Sequence, residues 1–250
     1  MSLALVLVEP AGPLNVGSVA RLCANFGLDE LRLVAPRCDP AGEEARRMAV
    51  HGGALLERAR RFPDLAAALA DCHRVVATSG RVEQEALPLC GASEALHWLL
   101  AGQQGPPAQG CWGALVFGRE DRGLSNDELL QAGRVLRLDT GAAYSSLNLS
   151  HAVAICLHEL QQLRQNPAEP AAQGAADPAV DPCARAALEA TLADAEALLL
   201  QVGFLYPHTA HARMAKLRAL LQRALVREPE LALLRGMVRQ LRWAAERRTP

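Results

Sequence analysis

The sequence predicts an α/β fold, a parallel sheet with helices on both faces, followed by a small all-helical C-terminal extension. Three observations carry this expectation. Short apolar runs alternate with helical patterns through about the first 165 residues, which is the signature of strand–helix units. Each run is only long enough for a strand buried on both faces, as parallel strands are. A stretch holding Pro167, Pro170, Gly174, Pro178 and Pro182 then ends the alternation, and only helical periodicity follows.

Taken in order, strands are expected at 3–8, 31–34, 74–77, 113–117 and 135–138. After the first, Val16, Val19, Cys23 and Phe26 mark a helix that Gly27 would end. Shorter helices are expected at 65–70, 94–100 and 126–131, and a longer one at 149–163. The first half of that long helix is apolar on most sides (Ala152, Val153, Ile155, Cys156, Leu157), so it is expected to pack on a second subunit as well. In the extension, Leu188, Leu192, Ala195, Leu199 and Val202 share one helical face, and further helices are expected at 210–227 and 229–246. The domains read as 1–165 for the α/β unit, 166–182 for a linker and 183–250 for the helical extension.

Composition narrows the function classes. Hydrophobic residues make up 50% of the chain and aromatics 4%, so Leu, Val and Ala build the core, and no aromatic stacking platform is expected. The net charge of −1 points to no particular partner, but its distribution is uneven. Residues 205–250 hold ten basic residues against Glu228, Glu230 and Glu246, a balance of +7 that leaves −8 on residues 1–204. On the middle helix of the extension, Arg213, Lys216, Arg223 and Arg227 would fall within an arc of about 80°. Such a stripe suits a phosphate backbone or, equally, a solvated face. The seven cysteines include no Cys-x-x-Cys pair, which argues against a disulfide framework or zinc site and for a reducing cytoplasm. No apolar stretch reaches about 18 residues, and no membrane or metal is expected; His208 and His211 are too isolated for zinc.

Three polar motifs interrupt this pattern. Asn15-Val-Gly17-Ser-Val-Ala-Arg21 follows the first strand. Gly17 there admits a close backbone or ligand, and Arg21 can project back toward the strand ends. Gly118-Arg-Glu120-Asp-Arg-Gly123-Leu124 follows the fourth expected strand, at the carboxyl edge where ligands bind in open parallel sheets. Tyr144-Ser145-Ser146-Leu147-Asn148 precedes the long helix. Taken singly, the first reads equally as a helix cap with a surface arginine, the second as a charged turn and the third as a set of caps. No Gly-x-Gly-x-x-Gly, Gly-x-x-x-x-Gly-Lys-Ser/Thr or Gly-x-Ser-x-Gly occurs, which disfavours a Rossmann dehydrogenase, a P-loop enzyme and an α/β-hydrolase.

Together and in this order the motifs resemble the SpoU branch of the SPOUT RNA methyltransferases, whose pattern is Asn-x-Gly-x-x-x-Arg, Gly-x-Glu-x-x-Gly-Leu and Ser-Leu-Asn. The resemblance covers residues 3 to about 163. Gly203-Phe204-Leu205, Met214-Ala-Lys216-Leu217-Arg218 and the stretch 231–236 also resemble the extension of the TrmJ-type tRNA (cytidine/uridine-2′-O-)-methyltransferases, which act at position 32. The resemblance implies a C-terminal trefoil knot, a homodimer with active sites at the interface, and S-adenosyl-L-methionine as cofactor. It assigns the cofactor to Thr78, Ser79, Gly80, Gly118, Leu138, Ser145, Ser146 and Leu147. It makes Arg21 catalytic, with Asn15, Glu120 and Asn148 orienting Arg21 and the knot loops.

The implied reaction moves a methyl group onto a ribose 2′-hydroxyl, a poor nucleophile that must lose a proton and be held in line. A guanidinium stays protonated at neutral pH, so Arg21 is expected to bind the target phosphate and stabilise the developing oxyanion while water or a neighbouring group takes the proton. Two readings stay beside this one: the same chemistry on ribosomal RNA or another tRNA position, and a non-catalytic RNA-binding relative.

Overall fold

The structure, a computed structural model, describes residues 3–80, 89–101, 113–141, 146–166 and 182–247. Seven strands form one all-parallel sheet: β1 (Leu3–Val8), β2 (Glu30–Val34), β3 (Arg60–Phe62), β4 (Arg74–Thr78), β5 (Leu89–Cys90), β6 (Gly113–Phe117) and β7 (Arg134–Leu136). Their spatial order is β3-β2-β1-β6-β4-β7-β5. The chain first winds outward from β1 to β3, then crosses to the other side, and β6 inserts between β1 and β4. That reversal opens a crevice at the carboxyl ends of the central strands.

All six β1 residues are buried, and their alternation divides the core in two. Leu3, Leu5 and Leu7, with Leu31, Leu33, Leu115 and Phe117, face α1 (Pro13–Asn25), α3 (Gly53–Arg58), α5 (Ala92–Leu100) and α7 (Leu149–Gln165). The smaller Ala4, Val6, Val8, Ala114 and Val116 face α4 (Leu65–Leu69), α6 (Asn126–Leu129) and Ala219 of the extension. The second face is therefore covered partly by residues of the C-terminal helices.

All five expected strands form, with one correction: β7 stops at Leu136, so Leu138 lies beyond the strand. The edge strands β3 and β5 and the segment from α2 (Glu43–Ala49) through a 3-10 turn (Val50–Gly52) to α3 were not foreseen. That segment packs through small residues. A Cβ on Gly17 would meet the Ala45 carbonyl oxygen at 2.2 Å, and one on Gly52 would meet that of Ala20 at 2.6 Å. The close approach at Gly17 is thus to another backbone. Gly27 ends α1 as expected, at φ +66°. Along the long helix α7, Val153, Cys156 and Leu157 are buried, whereas His151, Ile155, His158 and Gln162 form an exposed stripe.

The extension comprises α8 (Arg185–Gln201), α9 (Pro207–Arg223) and α10 (Glu228–Glu246) around Leu188, Leu192, Leu205, Met214 and Leu231. α8 has no side-chain cap. Instead its first amides, Arg185 N–H and Ala186 N–H, donate to the Cys72 and Ala70 carbonyls at 3.1 and 3.0 Å, which satisfies helix-end donors that would otherwise be orphaned. The Pro182 carbonyl accepts from His73 Nδ1 at 2.6 Å. Among the described residues no helix is long and apolar enough to cross a membrane. The segment expected to close the knot includes residues 142–145, which lie outside those described.

Because the Gly17 contact is backbone against backbone, neither partner can swing away. Gly17→Ala is expected to lower stability by roughly 1–3 kcal/mol, the cost of overpacking, read as a reduced denaturation midpoint in urea.

Candidate active site

The site is built where β1 and β6 end side by side. β6 runs into Gly118, and the chain folds back at once so that Arg119 and Gly123 form an antiparallel bridge. A Cβ on Gly118 would meet the Gly123 carbonyl carbon at 2.3 Å, and Gly123 has φ +71°. Both glycines bracketing the four charged residues Arg119 to Arg122 are thus required by the turn itself.

Arg119 lies inside the turn with its side chain 8% exposed. It forms two 2.8 Å hydrogen bonds to the Glu128 carboxylate and another to Glu9. Glu128 is fixed in turn by a capping box with Ser125 at the start of α6. Glu9 sits immediately after β1 at φ +46°, a left-handed conformation uncommon for a non-glycine residue. The hydrogen bond from Arg119, opposed by partial burial and aided by Arg37, holds the Glu9 carboxyl at about 2. Bonds to Glu128 first and Glu9 second hold the Arg119 guanidinium above its ordinary value.

Glu120, the next residue, reaches the other way. Its carboxylate accepts from Ala11 N–H (3.1 Å), Gly12 N–H (3.1 Å) and Asn15 Nδ2 (3.2 Å). Burial alone would raise its pKa; these hydrogen bonds outweigh that and leave it below the ordinary value. α1 begins at the Gly12 cap with Pro13 and has no side-chain cap, so Asn15 is an inward tether to Glu120 and not a capping residue. Glu120 therefore organises the entry to α1, and Arg21 is absent from its hydrogen-bond partners.

Beyond this loop a cleft of about 450 Å³ opens at the ends of β4, β6 and β7. Thr78, Ser79, Gly80, Gly118, Leu138, Ser146 and Leu147, all assigned above to the cofactor, line it together. Ser145 lies outside the described residues. Thr78 Oγ1 donates to the Val116 carbonyl at 3.0 Å, and Ser79 N–H to that of Leu136 at 3.0 Å, so the rim is tied to the sheet. Glycine backbones at 80, 118 and 123 alternate with Leu89, Leu138 and Leu147 around the cleft. This lining fits the adenosine part of the implied cofactor, with peptide groups for hydrogen bonds and leucines for the ring faces; the volume is in the usual range for such ligands.

The other expected site residues lie elsewhere. Asn148 caps α7, its Oδ1 accepting from Ser150 N–H at 2.9 Å and Ser150 Oγ at 2.7 Å. Arg21 is exposed on α1, outside the cleft lining, with no hydrogen bond or ion pair to any described residue. Arg213, Lys216 and Arg223 are exposed along α9. Arg227 is not on that helix: α9 ends at Arg223, Leu225 turns the chain at φ +50°, and Arg227 becomes the N-cap of α10, paired with Glu230. Glu9, Arg119 and Glu128 were missed because nothing in their spacing reveals that strand ends over 100 residues apart meet. Among the described residues no group of three or more His, Cys, Asp or Glu could hold a metal ion.

Comparison with known proteins gives the chain's relatives. Residues 2–158 match the SpoU rRNA Methylase family, and residues 186–250 match the tRNA methyltransferase TrmJ C-terminal domain. The chain is 36% identical over 240 residues to tRNA (cytidine/uridine-2′-O-)-methyltransferase TrmJ of Klebsiella pneumoniae, covering 94% of this chain and 93% of that one. The crystal structure of TrmJ from Z. mobilis ZM4 superposes with a TM-score of 0.80 at 30% identity, covering 96% of this chain and 98% of that one. A structure concerned with 2-OH methylation of C/U34 on tRNA superposes with a TM-score of 0.51 at 26% identity, covering 66% of this chain and 91% of that one.

The depressed carboxyl of Glu9 makes stability depend on pH. A carboxyl at about 2 in the folded chain against 4.5 ordinarily contributes stability that is complete above the higher value and lost as pH falls to the lower one. Thermal melts should show a Glu9-dependent decline within that acid window, and Glu9→Gln should be less stable at neutral pH with a shallower decline. A variant with the wild-type profile would show that Glu9 carries no such linkage.

Proposed function

Since the chain belongs to the SpoU rRNA methylase family and matches the TrmJ type along its length, we propose that it 2′-O-methylates a cytidine or uridine of tRNA at position 32. The observation that carries this is the convergence of seven separately assigned residues on one cleft at the strand ends. S-adenosylmethionine, when bound there, supplies an electrophilic methyl group. Thr78, Ser79, Gly80, Gly118, Leu138, Ser146 and Leu147 hold it, with Ser145 completing the set.

Arg21 is the catalytic group in this reading. An exposed guanidinium with no ion pair to any described residue suits a nucleic-acid phosphate, and its fork stabilises the oxyanion that develops on the ribose. It lies outside the cleft lining of its own chain, which supports a homodimer in which the partner subunit's Arg21 completes each site. Glu120 and Asn15 act as positioning residues through α1, the helix that carries Arg21, and Asn148 through α7. Residues 1–165 form the catalytic domain, 166–182 a linker and 183–250 an RNA-binding extension that uses Arg213, Lys216, Arg223 and Arg227. A tRNA substrate and unpatterned, mostly buried thiols favour the cytoplasm. Position 34 is the second reading. It is the weaker because the 2-OH methylation structure covers only 66% of this chain, whereas Z. mobilis TrmJ covers 96%.

The test is methyl transfer from labelled S-adenosylmethionine to unmodified tRNA transcripts, with the label mapped by nuclease digestion and mass spectrometry. Label on the 2′-oxygen at position 32 is expected, and Arg21→Ala should cut the rate by about 10²-fold or more, the usual effect of removing an oxyanion-stabilising donor. Near-wild-type turnover of that variant would remove Arg21 from the chemistry.

A further inference from the structure

The corner between α8 and α9 carries a feature that the basic helix alone does not explain. α8 ends at Gly203 (φ +75°), and the Phe204 and Leu205 amides both donate to the Leu199 carbonyl at 3.0 Å. This closure turns Leu205 inward, 2% exposed, and leaves its two neighbours outside. Phe204 is 61% exposed and Tyr206 is 55% exposed. Two large aromatics side by side in water need a reason, because the same corner could hold polar residues at no cost to the Leu205 anchor.

Their surroundings are cationic and ordered. The His208 ring stacks on Tyr206 with centroids 5.9 Å apart and planes 20° from parallel. Arg213 lies over Phe204, 5.9 Å from the ring centre, and donates through Nη1 to the Phe204 carbonyl at 2.9 Å. Residues 197–227 contain no Asp or Glu but hold Arg213, Lys216, Arg218, Arg223 and Arg227. Of these, Arg218 is engaged by Glu189, whereas Lys216 and Arg223 are exposed on the helix that begins at this corner.

The helix that leaves this corner also reaches α6. One turn into α9, about 7.5 Å along the axis from Tyr206, His211 Nε2 lies 3.4 Å from Asp127 on α6. Asn126, the residue before Asp127, lines the cleft. Rings presented beside a cation row match unpaired nucleotides, whose bases expose π-faces that a duplex hides.

We infer that Phe204 and Tyr206, backed by Arg213 and His208, form a base-stacking platform for unpaired loop nucleotides of the tRNA substrate. The inference rests on the proposed tRNA methylation and adds the surface that recognises loop nucleotides apart from phosphates. Stacking accepts any base, so the platform supplies affinity and register, while the cleft and Arg21 supply the chemistry.

The test compares wild type, Phe204→Ala/Tyr206→Ala and Tyr206→Phe for tRNA affinity across salt concentrations, S-adenosylmethionine affinity, molar mass and thermal melting. The double variant should lose roughly tenfold or more in tRNA affinity, the effect of removing base–aromatic stacking. Its salt slope should match wild type, since no phosphate contact is lost. Cofactor affinity, mass and melting should also be unchanged, and Tyr206→Phe, which keeps the ring, should bind as wild type. A double variant that binds tRNA normally while wild type methylates tRNA overturns the platform alone. A changed mass with normal tRNA affinity also overturns it, and identifies the corner as a protein interface. Wild type that methylates no tRNA removes the functional reading and the platform with it.

Discussion

Arg119 is a guanidinium taken almost out of water at the end of the central strand, and that is affordable only because two carboxylates from distant parts of the chain meet it. Removing either Glu9 or Glu128 would leave the guanidinium only one of its two carboxylate partners. Glu9 comes from the end of β1, Arg119 from the end of β6, and Glu128 from α6. Joining them fixes the separation of the two strand ends and the start of the following helix. Glu120, one residue on, then fixes the entry to α1. One five-residue turn thus sets the floor of the cleft and the direction of the helix bearing Arg21. The left-handed backbone at Glu9 fits this account, because strain of that kind persists where surrounding contacts over-determine it.

Much of the fold, though not this cluster, was legible in the sequence, for physical reasons that differ between elements. The central strands were plain because a parallel strand buried on both faces must be apolar at every position, as β1 is. The residues assigned to the cofactor were legible only through the resemblance. Gly118, Ser79 and Leu147 share no periodicity, and the fold alone brings them to one cleft. The region from α2 to α3 was hidden because its burial is carried by Ala45, Ala49 and Gly52, which give no hydrophobic stripe. β2 and β4 each carry a fully buried arginine: Arg32, paired with Asp71 and the Ala68 carbonyl, and Arg74, bonded to the Trp98 carbonyl. Their partners are remote, so sequence spacing says nothing of them.

The basic stripe shows how a periodic argument fails at a helix end. Arg213, Lys216 and Arg223 keep the angular relation that a 100° repeat gives them, but Arg227 would share it only if α9 continued. Leu225 at φ +50° ends that continuity, and a leucine gives no warning of a left-handed turn, whereas Gly27 at the end of α1 does. The aromatic corner is the converse case. A composition of 4% aromatics argues against a stacking surface only if the rings are spread evenly, and here two of them, two residues apart, stand outside, one of them under an arginine.

The relation between the two parts of the chain follows from how helix ends and sheet faces must be satisfied. Among the described residues of the first part of the chain, the short helices α4 and α6 cover the small-residue face of the sheet, and Ala219 of α9 packs there as well. α8 lacks a capping side chain and borrows the Cys72 and Ala70 carbonyls from the loop after α4. Those carbonyls in turn gain donors that a free loop would find only in water. The contacts are reciprocal, so the extension is fastened where it begins as well as linked through the chain. A fastened extension holds the α8–α9 corner at a set position relative to the cleft, with His211 against Asp127. The proposed stacking of a loop nucleotide needs that register, since a tether of flexible chain would place the same cations anywhere within its reach.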